Sequence, residues 1–338
     1  MSYRVSVQPS GHQFEVEPGE TVLDAALRQN VGLPYGCRSG NCGSCAGEIL
    51  QGEAAYPEAE PGFECADEHC CIFCQAVPKS DLVIKVREVE NVADIQTRTL
   101  PCRVVRIDHL AHDVIRMYLK LPDNQRLQFL AGQYLEFILA DGRHRAFSIA
   151  NAPHDDELIE LHIRHVDGGA FTDYVFSKMR EKTIQRIQAP MGSFTLNENS
   201  DAPMILIAGG TGFAPLKAII EHAFHRGLTR PMHLFWGVRS RRDLYLPELP
   251  RQWEREHDFF RFTPVLSEPD ADWSGASGWV HEQVLKEYPS PSGHEIYMAG
   301  PPVMIVAARE ALRKAGVADD AMYYDAFEYA APSEGGKD

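Results

Sequence analysis

The sequence predicts a multidomain chain with a small α+β domain, an antiparallel β-barrel, and an α/β domain built on a parallel sheet. At 338 residues the chain is too long for one ordinary hydrophobic core. Residues 100–199 form short strand patterns at close spacing, which is typical of a barrel. From residue 202 onward, strand patterns alternate with helical ones, which is typical of a parallel sheet. We therefore expect domains at residues 1–92, 98–200 and 201–338.

The composition excludes several classes of protein. Hydrophobic residues make up 44% of the chain and charged residues 24%, as in soluble globular proteins. No apolar run approaches the roughly 18 residues of a membrane span, and the start lacks a signal-peptide pattern. We expect a cytoplasmic protein with reduced thiols, in which the eight cysteines are metal ligands or free thiols rather than disulfide partners.

The formal net charge of −15 argues against binding to nucleic acid, which requires a basic surface. Over half of this charge lies in residues 1–92, which hold six Lys or Arg against fourteen Asp or Glu. Solubility accounts for most of such an excess. The excess also suits a docking face for a basic partner, because complementary charge speeds encounter.

The first domain begins with a strand–turn–strand pattern. Residues 3–8 and 12–17 alternate apolar and polar side chains, which indicates a hairpin that turns at Gly11. Thr21 can cap a helix that runs to about Gln29. The further predicted features are a capping-box carboxylate at Asp24, a helix end before Gly32, strands at 48–50 and 81–89, and a polar linker at 91–99.

The stretch CRSGNCGSC places three cysteines among small residues between this helix and the next strand. Cys37, Cys42 and Cys45 follow the spacing C-x4-C-x2-C of plant-type 2Fe–2S clusters, which need a fourth cysteine further on. Gly40, Gly43 and the serine that follows allow the backbone to fold tightly enough to offer amide N–H groups to the sulfurs. Zinc stays open on spacing alone, because further cysteines, one pair of them spaced C-x2-C, follow in the same domain.

The middle region carries two motifs. Its predicted elements are strands at 102–110, 113–121, 133–139, 145–151, 158–166 and 183–190 and a helix at 171–180. Arg145, Phe147 and Ser148 form the sequence RxFS on one of these strands. Gly168 and Gly169 open the helix, and N–H groups at a helix start bind phosphate well.

The last region begins with a buried-strand pattern that runs into a glycine loop and a helix. Gly210, Thr211 and Gly212 lead to Pro215, which occupies the third glycine position of the dinucleotide-binding pattern G-x-G-x-x-G. Proline is tolerated there because the first helical turn does not need its N–H. Arg239 follows the second strand, where an arginine can pair a 2′-phosphate or be solvated. The further predicted elements are strands at 232–236, 262–266 and 295–299 and helices from 280 and at 301–314.

In this order the motifs resemble those of the ferredoxin–NADP reductase superfamily with an N-terminal plant-type ferredoxin domain. Residues 30–90 are similar to the ferredoxin, since Cys74 is followed by Gln-Ala, a short spacer and a strand. The resemblance implies a β-grasp domain with Cys37, Cys42, Cys45 and Cys74 as the 2Fe–2S ligands. The cysteines left without a required role, and expected as free thiols, are Cys65, Cys70, Cys71 and Cys102.

The RxFS strand resembles the Arg-x-Tyr-Ser signature of the superfamily, which implies a flavin-binding barrel that carries FAD rather than FMN. By this resemblance Arg145 binds the phosphate region, Phe147 lies against the isoalloxazine, and Ser148 lies near the flavin N5, where hydride arrives. Ser148 is thus the candidate catalytic residue, and Phe147 lacks the phenolic hydrogen bond of the usual Tyr. The other residues expected at the flavin are Ile163, Gly168, Gly169, Thr172 and Phe327.

The glycine loop resembles the pyridine-nucleotide loop of the superfamily, which implies nucleotide contacts from Gly210, Thr211, Gly212 and Pro215. The stretch YMAGPPVM resembles a later Cys-Gly-Pro-x-x-Met element beside the nicotinamide, which implies contacts from Gly300, Pro301 and Met304. Ala299 stands where that element usually has its Cys. Arg239 is compatible with NADPH or NADH, and the composition of the family favours NADH.

The order of the three motifs implies an NAD(P)H-dependent reductase that passes electrons through FAD and a 2Fe–2S cluster to an external protein acceptor. Relatives of this order include CDP-6-deoxy-Δ3,4-glucoseen reductases, which feed a sugar dehydrase, and reductase components of mono- or dioxygenases. The stretches YGCRSGNCGSC, FSIAN and YMAGPP favour the first group. The alternative of another class is a redox-sensing or zinc-binding module without turnover, because Phe147, Ala299 and the surplus cysteines depart from the pattern.

Overall fold

The computed structural model describes residues 2–65, 69–89 and 95–327. The chain forms two compact units. The first consists of Met1–Gln96 with Gly192–Phe194, and the second of Thr97–Met191 with Thr195–Asp338. The second unit contains both the barrel and the α/β domain. Residues 91–94 of the predicted linker lie outside the described residues.

The first unit has a β-grasp fold with one helix and a mixed sheet. Its elements are β1 (Tyr3–Gln8), β2 (Gln13–Val16), α1 (Val22–Arg28), β3 (Ala46–Gln51), β4 (Ala54–Ala55), β5 (Cys70–Ile72), β6 (Val77–Pro78) and β7 (Leu82–Lys85). The main sheet has the order β2-β1-β7-β3-β5, in which β1 and β7 run parallel and the other neighbours antiparallel. The two short strands β4 and β6 pair separately. The predicted hairpin is confirmed, with Gly11 at φ +79 in its turn.

Helix α1 forms where its first turn can be capped and its inner face buried. The Thr21 side chain accepts the Asp24 N–H at 3.1 Å, which satisfies a donor that the helix itself leaves free. Four of the five side chains in Val22–Ala26 are buried. Beyond the helix, a Cβ on Gly32 would lie 2.2 Å from the Val89 carbonyl oxygen, so only glycine allows these backbone segments to approach.

The predicted antiparallel barrel is confirmed. Its elements are β8 (Arg98–His109), β9 (Val114–Lys120), β10 (Tyr134–Ile138), β11 (His144–Ser148), β12 (Ile159–Arg164), α2 (Ala170–Ser177) and β13 (Ile184–Met191). The strand order is β11-β10-β13-β8-β9-β12, with every neighbouring pair antiparallel. Just beyond β11, Ile149 bridges Leu161 of β12, and the Ala150 N–H donates to the Glu160 carbonyl at 2.8 Å. These contacts join the two ends of the sheet and close the barrel.

The α/β domain has the predicted parallel sheet. Its elements are β14 (Met204–Gly209), α3 (Phe213–His225), β15 (Met232–Val238), α4 (Glu248–Glu256), β16 (Phe260–Leu266), β17 (Ala276–Ser277), α5 (Val280–Glu287), β18 (Glu295–Gly300), α6 (Pro302–Lys314) and β19 (Met322–Ala326). The order is β17-β16-β15-β14-β18-β19, and all neighbours run parallel. Every residue of β14 and β18 is buried, and their carboxyl ends lie side by side.

Sequence patterns did not indicate α4, β17 and β19. The first is dominated by charged and polar residues, the second has two residues, and the third carries two tyrosines and an aspartate in a five-residue strand. Their secondary structure therefore depends on packing against neighbouring elements more than on local pattern. None of the helices in the described part of the chain has the length and apolar character needed to cross a membrane.

Candidate functional site

Two glycines allow the tight fold of the cysteine loop. Gly40 and Gly43 have φ values of +82 and +74, in the region that favours glycine. A Cβ on Gly43 would lie 2.3 Å from the ring of Phe63, and one on Gly40 would lie 3.0 Å from the side chain of Gln75. Both glycines are therefore required by backbone conformation and by close packing.

Backbone N–H groups of the loop point at cysteine sulfurs, as predicted. The N–H groups of Cys37 and Ser44 each donate to the Cys42 Sγ at 3.4 Å. The Ser39 N–H donates to the Cys37 Sγ, also at 3.4 Å. Such donors stabilise negative charge on sulfur, which the thiolate ligands of an iron–sulfur cluster carry.

The four predicted ligand sulfurs lie in two pairs. Cys37 is hydrogen-bonded to Cys42, which lowers the pKa of Cys37 to about 4, and Cys45 is hydrogen-bonded to Cys74. No three cysteine sulfurs of the described residues lie within 4.8 Å of one another. The donor set, two cysteines in each pair, therefore fits two iron atoms with two cysteine ligands each.

Two of the remaining cysteines are not free thiols, so the prediction that none of the eight forms a disulfide is wrong. A disulfide joins Cys65 to Cys70, whose Cα atoms lie 5.6 Å apart, within the range that a disulfide spans. The sequence did not indicate this pair, because a separation of five residues permits a disulfide without requiring one. Cys71 and Cys102 are buried free thiols, as predicted, and burial raises the pKa of both, that of Cys102 to about 12.

Strand β11 carries the RxFS residues at one end of the barrel sheet. The ring of Phe147 packs edge-on against Phe137, with centroids 5.8 Å apart. It also packs against Phe171 in a tilted arrangement, with centroids 5.7 Å apart. Ser148 is buried, and strand alternation turns it to the opposite face from Phe147. The half-buried Arg145 donates to a backbone carbonyl of its own strand at 2.7 Å. Phe147 therefore offers an aromatic surface held by the barrel core, without a hydroxyl.

The glycines before α2 form an open loop. Gly168 has φ +75, and no atom lies within 4 Å of where its Cβ would be, so a phosphate could approach closely. Gly169 is the N-cap of α2 and brings no side-chain cap. The Thr172 hydroxyl donates to the carbonyls of Val166 and Gly169, at 3.1 and 3.0 Å, so it shapes this loop. Ile163 is fully buried in the barrel core, so a flavin contact there has to come from its backbone.

The glycine loop after β14 packs directly against the end of β18. A Cβ on Gly212 would lie 1.9 Å from the carbonyl oxygen of Ala299. Gly210 has φ +54, and a Cβ there would lie 2.8 Å from an arginine Nη1 of β12. Thr211 between them is half-buried, and Pro215 lies in the first turn of α3, as predicted. The contact with Ala299 leaves no space for a side chain at Gly212.

A second glycine segment completes this crossing. Gly300 has φ +149, and its Cβ would lie 3.0 Å from the Gly209 Cα. Pro301 is the N-cap of α6, and the Met304 Sδ would lie 2.5 Å from a Cβ on Gly209. The Phe327 N–H donates to the Gly300 carbonyl at 2.9 Å. The structure thus brings both predicted nucleotide segments together, with Phe327 beside them.

The barrel meets the α/β domain at Ser148. Its hydroxyl donates to the Asp325 Oδ2 at 3.3 Å. Asp325 lies on β19 and pairs in register with Ala299 of β18. A continuous set of contacts therefore leads from the predicted flavin residue Ser148 to the predicted nucleotide loop. Sequence reasoning placed Phe327 in this region but assigned no role to Asp325.

Arg239 lies at an exposed position after β15. Its neighbour Arg241 is engaged elsewhere, since it pairs with Asp272 at 3.4 Å and stacks over Trp273 at 5.4 Å. Arg239 is thus the better placed of the two to meet a nucleotide. The choice between NADH and NADPH stays a prediction.

A buried polar cluster lies between the barrel and α3, and the sequence did not indicate it. We define it as Glu160, His162, Lys217 and Tyr245, whose exposed fractions lie between 4% and 6%. The Lys217 Nζ lies 3.5 Å from the Glu160 Oε2 and 2.9 Å from the Glu221 Oε2. His162 contacts the Glu160 Oε1 through Nε2 at 2.8 Å and the Tyr245 hydroxyl through Nδ1 at 3.0 Å.

The buried polar cluster contains an ion pair. Burial opposes charge on Glu160, but the hydrogen bond with His162 and the charge of Lys217 outweigh it and lower the pKa of Glu160 to about 2. Burial also opposes charge on Lys217, yet the carboxylates of Glu160 and Glu221 raise its pKa above the ordinary value. Burial lowers the pKa of His162, which keeps that imidazole neutral near pH 7.

Three family models match the chain in the predicted order. They describe a 2Fe-2S iron-sulfur cluster binding domain at residues 5–79, an oxidoreductase FAD-binding domain at 101–196 and an oxidoreductase NAD-binding domain at 206–310. The matched regions contain the cysteine loop, the RxFS strand and the glycine loop. All three cofactor classes predicted from the sequence are confirmed.

Proteins of similar sequence and structure match nearly the full length of the chain. It is 35% identical over 330 residues to a CDP-6-deoxy-L-threo-D-glycero-4-hexulose-3-dehydrase reductase of Yersinia pestis, which covers 97% of this chain and 99% of the relative. It is 34% identical over 349 residues to the phenol 2-monooxygenase reductase component DmpP of Pseudomonas sp. (strain CF600), covering 99% and 97%. The solved structure of the Amycolatopsis cytochrome P450 reductase GcoB superimposes with a TM-score of 0.77 at 32% identity, covering 96% and 98%.

The fold and the site together define an NAD(P)H oxidoreductase of the iron–sulfur flavoprotein class, with domains for a 2Fe–2S cluster, FAD and NAD. The chain belongs to the family of reductases in which a plant-type ferredoxin domain precedes a ferredoxin–NADP reductase module. Its relatives are electron-transfer reductases that serve a dehydrase or an oxygenase, as the resemblance implied.

Proposed function

We propose that this reductase takes electrons from NADH and delivers them to a dehydrase that acts on a CDP-linked 6-deoxy sugar. The relative that supports this acceptor is the Yersinia pestis dehydrase reductase, at 35% identity over nearly the whole chain. The second candidate acceptor is the terminal component of an oxygenase, supported by the phenol 2-monooxygenase reductase at 34% identity. The cytoplasm stays the predicted location.

The contacts around Ser148 carry the proposed electron entry. When bound, the nicotinamide supplies a hydride, FAD takes up the electron pair, and the 2Fe–2S cluster carries electrons singly. Ser148 is held 3.3 Å from Asp325, on the strand next to the Gly300 segment. We assign Ser148 the task of orienting the flavin, and Gly212 and Gly300 the task of letting the glycine loop and the end of β18 cross closely at the proposed nicotinamide site.

The remaining proposed contacts come from β11, from the loop before α2 and from the glycine segments of the α/β domain. Gly168 and Gly169 receive the flavin pyrophosphate at the start of α2, and Arg145 and Phe147 hold the flavin along β11. Thr172 supports that loop through its hydrogen bonds, and Ile163 contributes backbone only. The residues proposed for the nucleotide are Gly210, Thr211, Gly212, Pro215, Arg239, Gly300, Pro301 and Met304. Phe327, whose N–H donates to the Gly300 carbonyl, is proposed to contact the flavin.

A basic partner surface suits the acidic first unit. Residues 58–64 contain Phe63, whose ring lies beside Gly43 of the cysteine loop. The same segment exposes the carboxylates of Glu58, Glu60 and Glu64. Opposite charge on an acceptor would steer its encounter with this face, and added salt would screen that attraction. We therefore expect the rate of electron transfer to the protein acceptor to fall with rising ionic strength.

Low-temperature EPR of the anaerobic protein after addition of NADH tests the electron path. A reduced 2Fe–2S signal is the expected result, and Cys37, Cys42, Cys45 and Cys74 are the proposed ligands. Bleached flavin without that signal would place the end of the path at the flavin. Failure to reduce ferricyanide with NADH or NADPH would favour the redox-sensing or zinc-binding module without turnover.

Reconstitution with two purified acceptors distinguishes the candidate functions. One is the CDP-6-deoxy-L-threo-D-glycero-4-hexulose-3-dehydrase served by the Yersinia relative, and the other is the oxygenase component of a phenol hydroxylase. We expect faster NADH-dependent turnover with the dehydrase. Faster turnover with the oxygenase would reverse the choice of acceptor and leave the assignment as a reductase intact.

A further inference from the structure

The buried polar cluster connects the strand of Ser148 to the helix of the glycine loop. The Lys217 Nζ donates to the Ala150 carbonyl at 3.1 Å, and Ala150 is the second residue after Ser148. The Ala150 N–H in turn donates to the Glu160 carbonyl, where the two ends of the barrel sheet meet. The lysine is therefore hydrogen-bonded to residues on both sides of the barrel closure. Lys217 itself lies in the second turn of α3, the helix that begins directly after the loop with Gly212.

A second set of contacts leads from the cluster to the same loop. The ring of Tyr245 packs edge-on against Trp236, with centroids 5.0 Å apart. The Trp236 Nε1 donates to the Gly210 carbonyl at 2.9 Å, and Phe213 stacks on the indole at 4.1 Å. Since His162 of the barrel is bonded to the Tyr245 hydroxyl, the aromatic stack links β12 to the backbone of the glycine loop.

The burial of these groups makes their geometry specific. The side chains of Lys217, Glu160 and His162 expose 7%, 8% and 0% of their surface. Buried charges are tolerated only where their partners meet them in good geometry, so the cluster favours one placement of the two surfaces that it joins. Removal of one partner leaves the other charged and buried, so the two surfaces would have to move apart or admit water.

We propose that Glu160, His162, Lys217 and Tyr245 are positioning residues that hold the glycine loop in register with the strand carrying Ser148. They touch neither reacting group, and they act through the relative placement of these two segments. The inference rests on the proposed function for its kinetic consequence. A misplacement of about 1 Å between reacting groups can slow a reaction about 100-fold.

The test compares Lys217→Met and Lys217→Arg with wild type, all as holoproteins, and uses Lys314→Met as a matched control on the exposed end of α6. Anaerobic stopped-flow mixing with NADH gives the limiting rate of flavin reduction, and an equilibrium titration with NAD⁺ gives a dissociation constant. Hydrogen–deuterium exchange, without nucleotide, reports on the segments around Ser148 and Gly212. The exchange measurement is independent of turnover.

We expect Lys217→Met to lower the limiting rate by about 10- to 100-fold. NAD⁺ affinity should change by less than about threefold, because no nucleotide contact is removed. Exchange should rise in both segments, Lys217→Arg should recover most of the rate, and Lys314→Met should behave as wild type. A Lys217→Met rate within about twofold of wild type, or equal rate losses in Lys217→Met and Lys217→Arg with unchanged exchange, would overturn the proposal.

If Lys217→Met does not retain FAD, Tyr245→Phe decides the question, because it keeps the ring and removes only the hydroxyl bonded to His162. A drop of at least about fivefold in the limiting rate supports the proposal, and a smaller change overturns it. The proposed function fails separately, when wild-type flavin is not reduced by NADH or NADPH. The two failures are therefore distinguishable in one experiment.

Discussion

Replacement of Gly212 by alanine tests the close crossing between the glycine loop and β18. The added Cβ would lie 1.9 Å from the Ala299 carbonyl oxygen and 2.9 Å from the Gly300 nitrogen. Gly212 has φ −58 and ψ −14, which alanine adopts without strain, so the clash is the whole effect. Real Cβ atoms essentially never come within 3.0 Å of another heavy atom, so the two segments must separate by about 1 Å.

A displacement of about 1 Å at the nicotinamide side of the site should lower kcat/KM for NADH about 100-fold. This corresponds to an increase of about 2.7 kcal/mol in the activation free energy. The assay is steady-state ferricyanide reduction with NADH, together with FAD content and the thermal unfolding midpoint. Gly293→Ala is the matched control, because no atom lies within 4 Å of its Cβ. A well-folded, FAD-replete Gly212→Ala protein with kcat/KM within about twofold of wild type would refute the reasoning.

Three further predictions concern the cluster ligands, the flavin contact and acid stability. Cys74→Ser should lose the cluster but keep flavin reduction by NADH, whereas Cys71→Ser should keep both; normal iron content in the former would contradict the ligand assignment. Ser148→Ala should retain FAD and slow flavin reduction about tenfold in stopped-flow mixing, and an unchanged rate would remove Ser148 from the catalytic assignment. Glu160 has its pKa lowered from 4.5 to about 2, so it stabilises the fold above pH 4.5 and loses about 3 kcal/mol of that effect as the pH falls through the folded pKa. Between pH 5 and pH 2, the free energy of unfolding measured with urea should therefore fall by about 3 kcal/mol more in wild type than in Glu160→Gln. Parallel pH profiles of the two proteins would contradict this prediction.

The cysteine loop illustrates how far local sequence reaches. The spacing of three cysteines and the two glycines at positive φ act over nine residues, so their geometry follows from chain connectivity. The glycine loop is similar, since a buried strand, three glycines and a helix follow one another directly. The disulfide between Cys65 and Cys70 did not follow, although the two are only five residues apart. No sequence pattern around these two cysteines requires their sulfur atoms to meet.

The strand Ile159–Arg164 shows why the buried polar cluster was missed. Its residues alternate apolar and polar, and such alternation ordinarily places Glu160 and His162 on a solvated face. In the structure that face is covered by α3, and the polar side chains find partners there. Periodicity reports which side chains share a face, but not what lies against that face.

The sequence by itself determined the order of the three domains, their secondary structure in the strongly patterned segments, and the three cofactor classes. Short-range connectivity and side-chain chemistry are sufficient for these. The tertiary structure alone decided that Ser148 meets Asp325, 177 residues away, and that Lys217 meets Glu160, 57 residues away. Such pairs depend on how the barrel packs against the α/β domain, and that packing is the sum of many contacts that no single segment encodes.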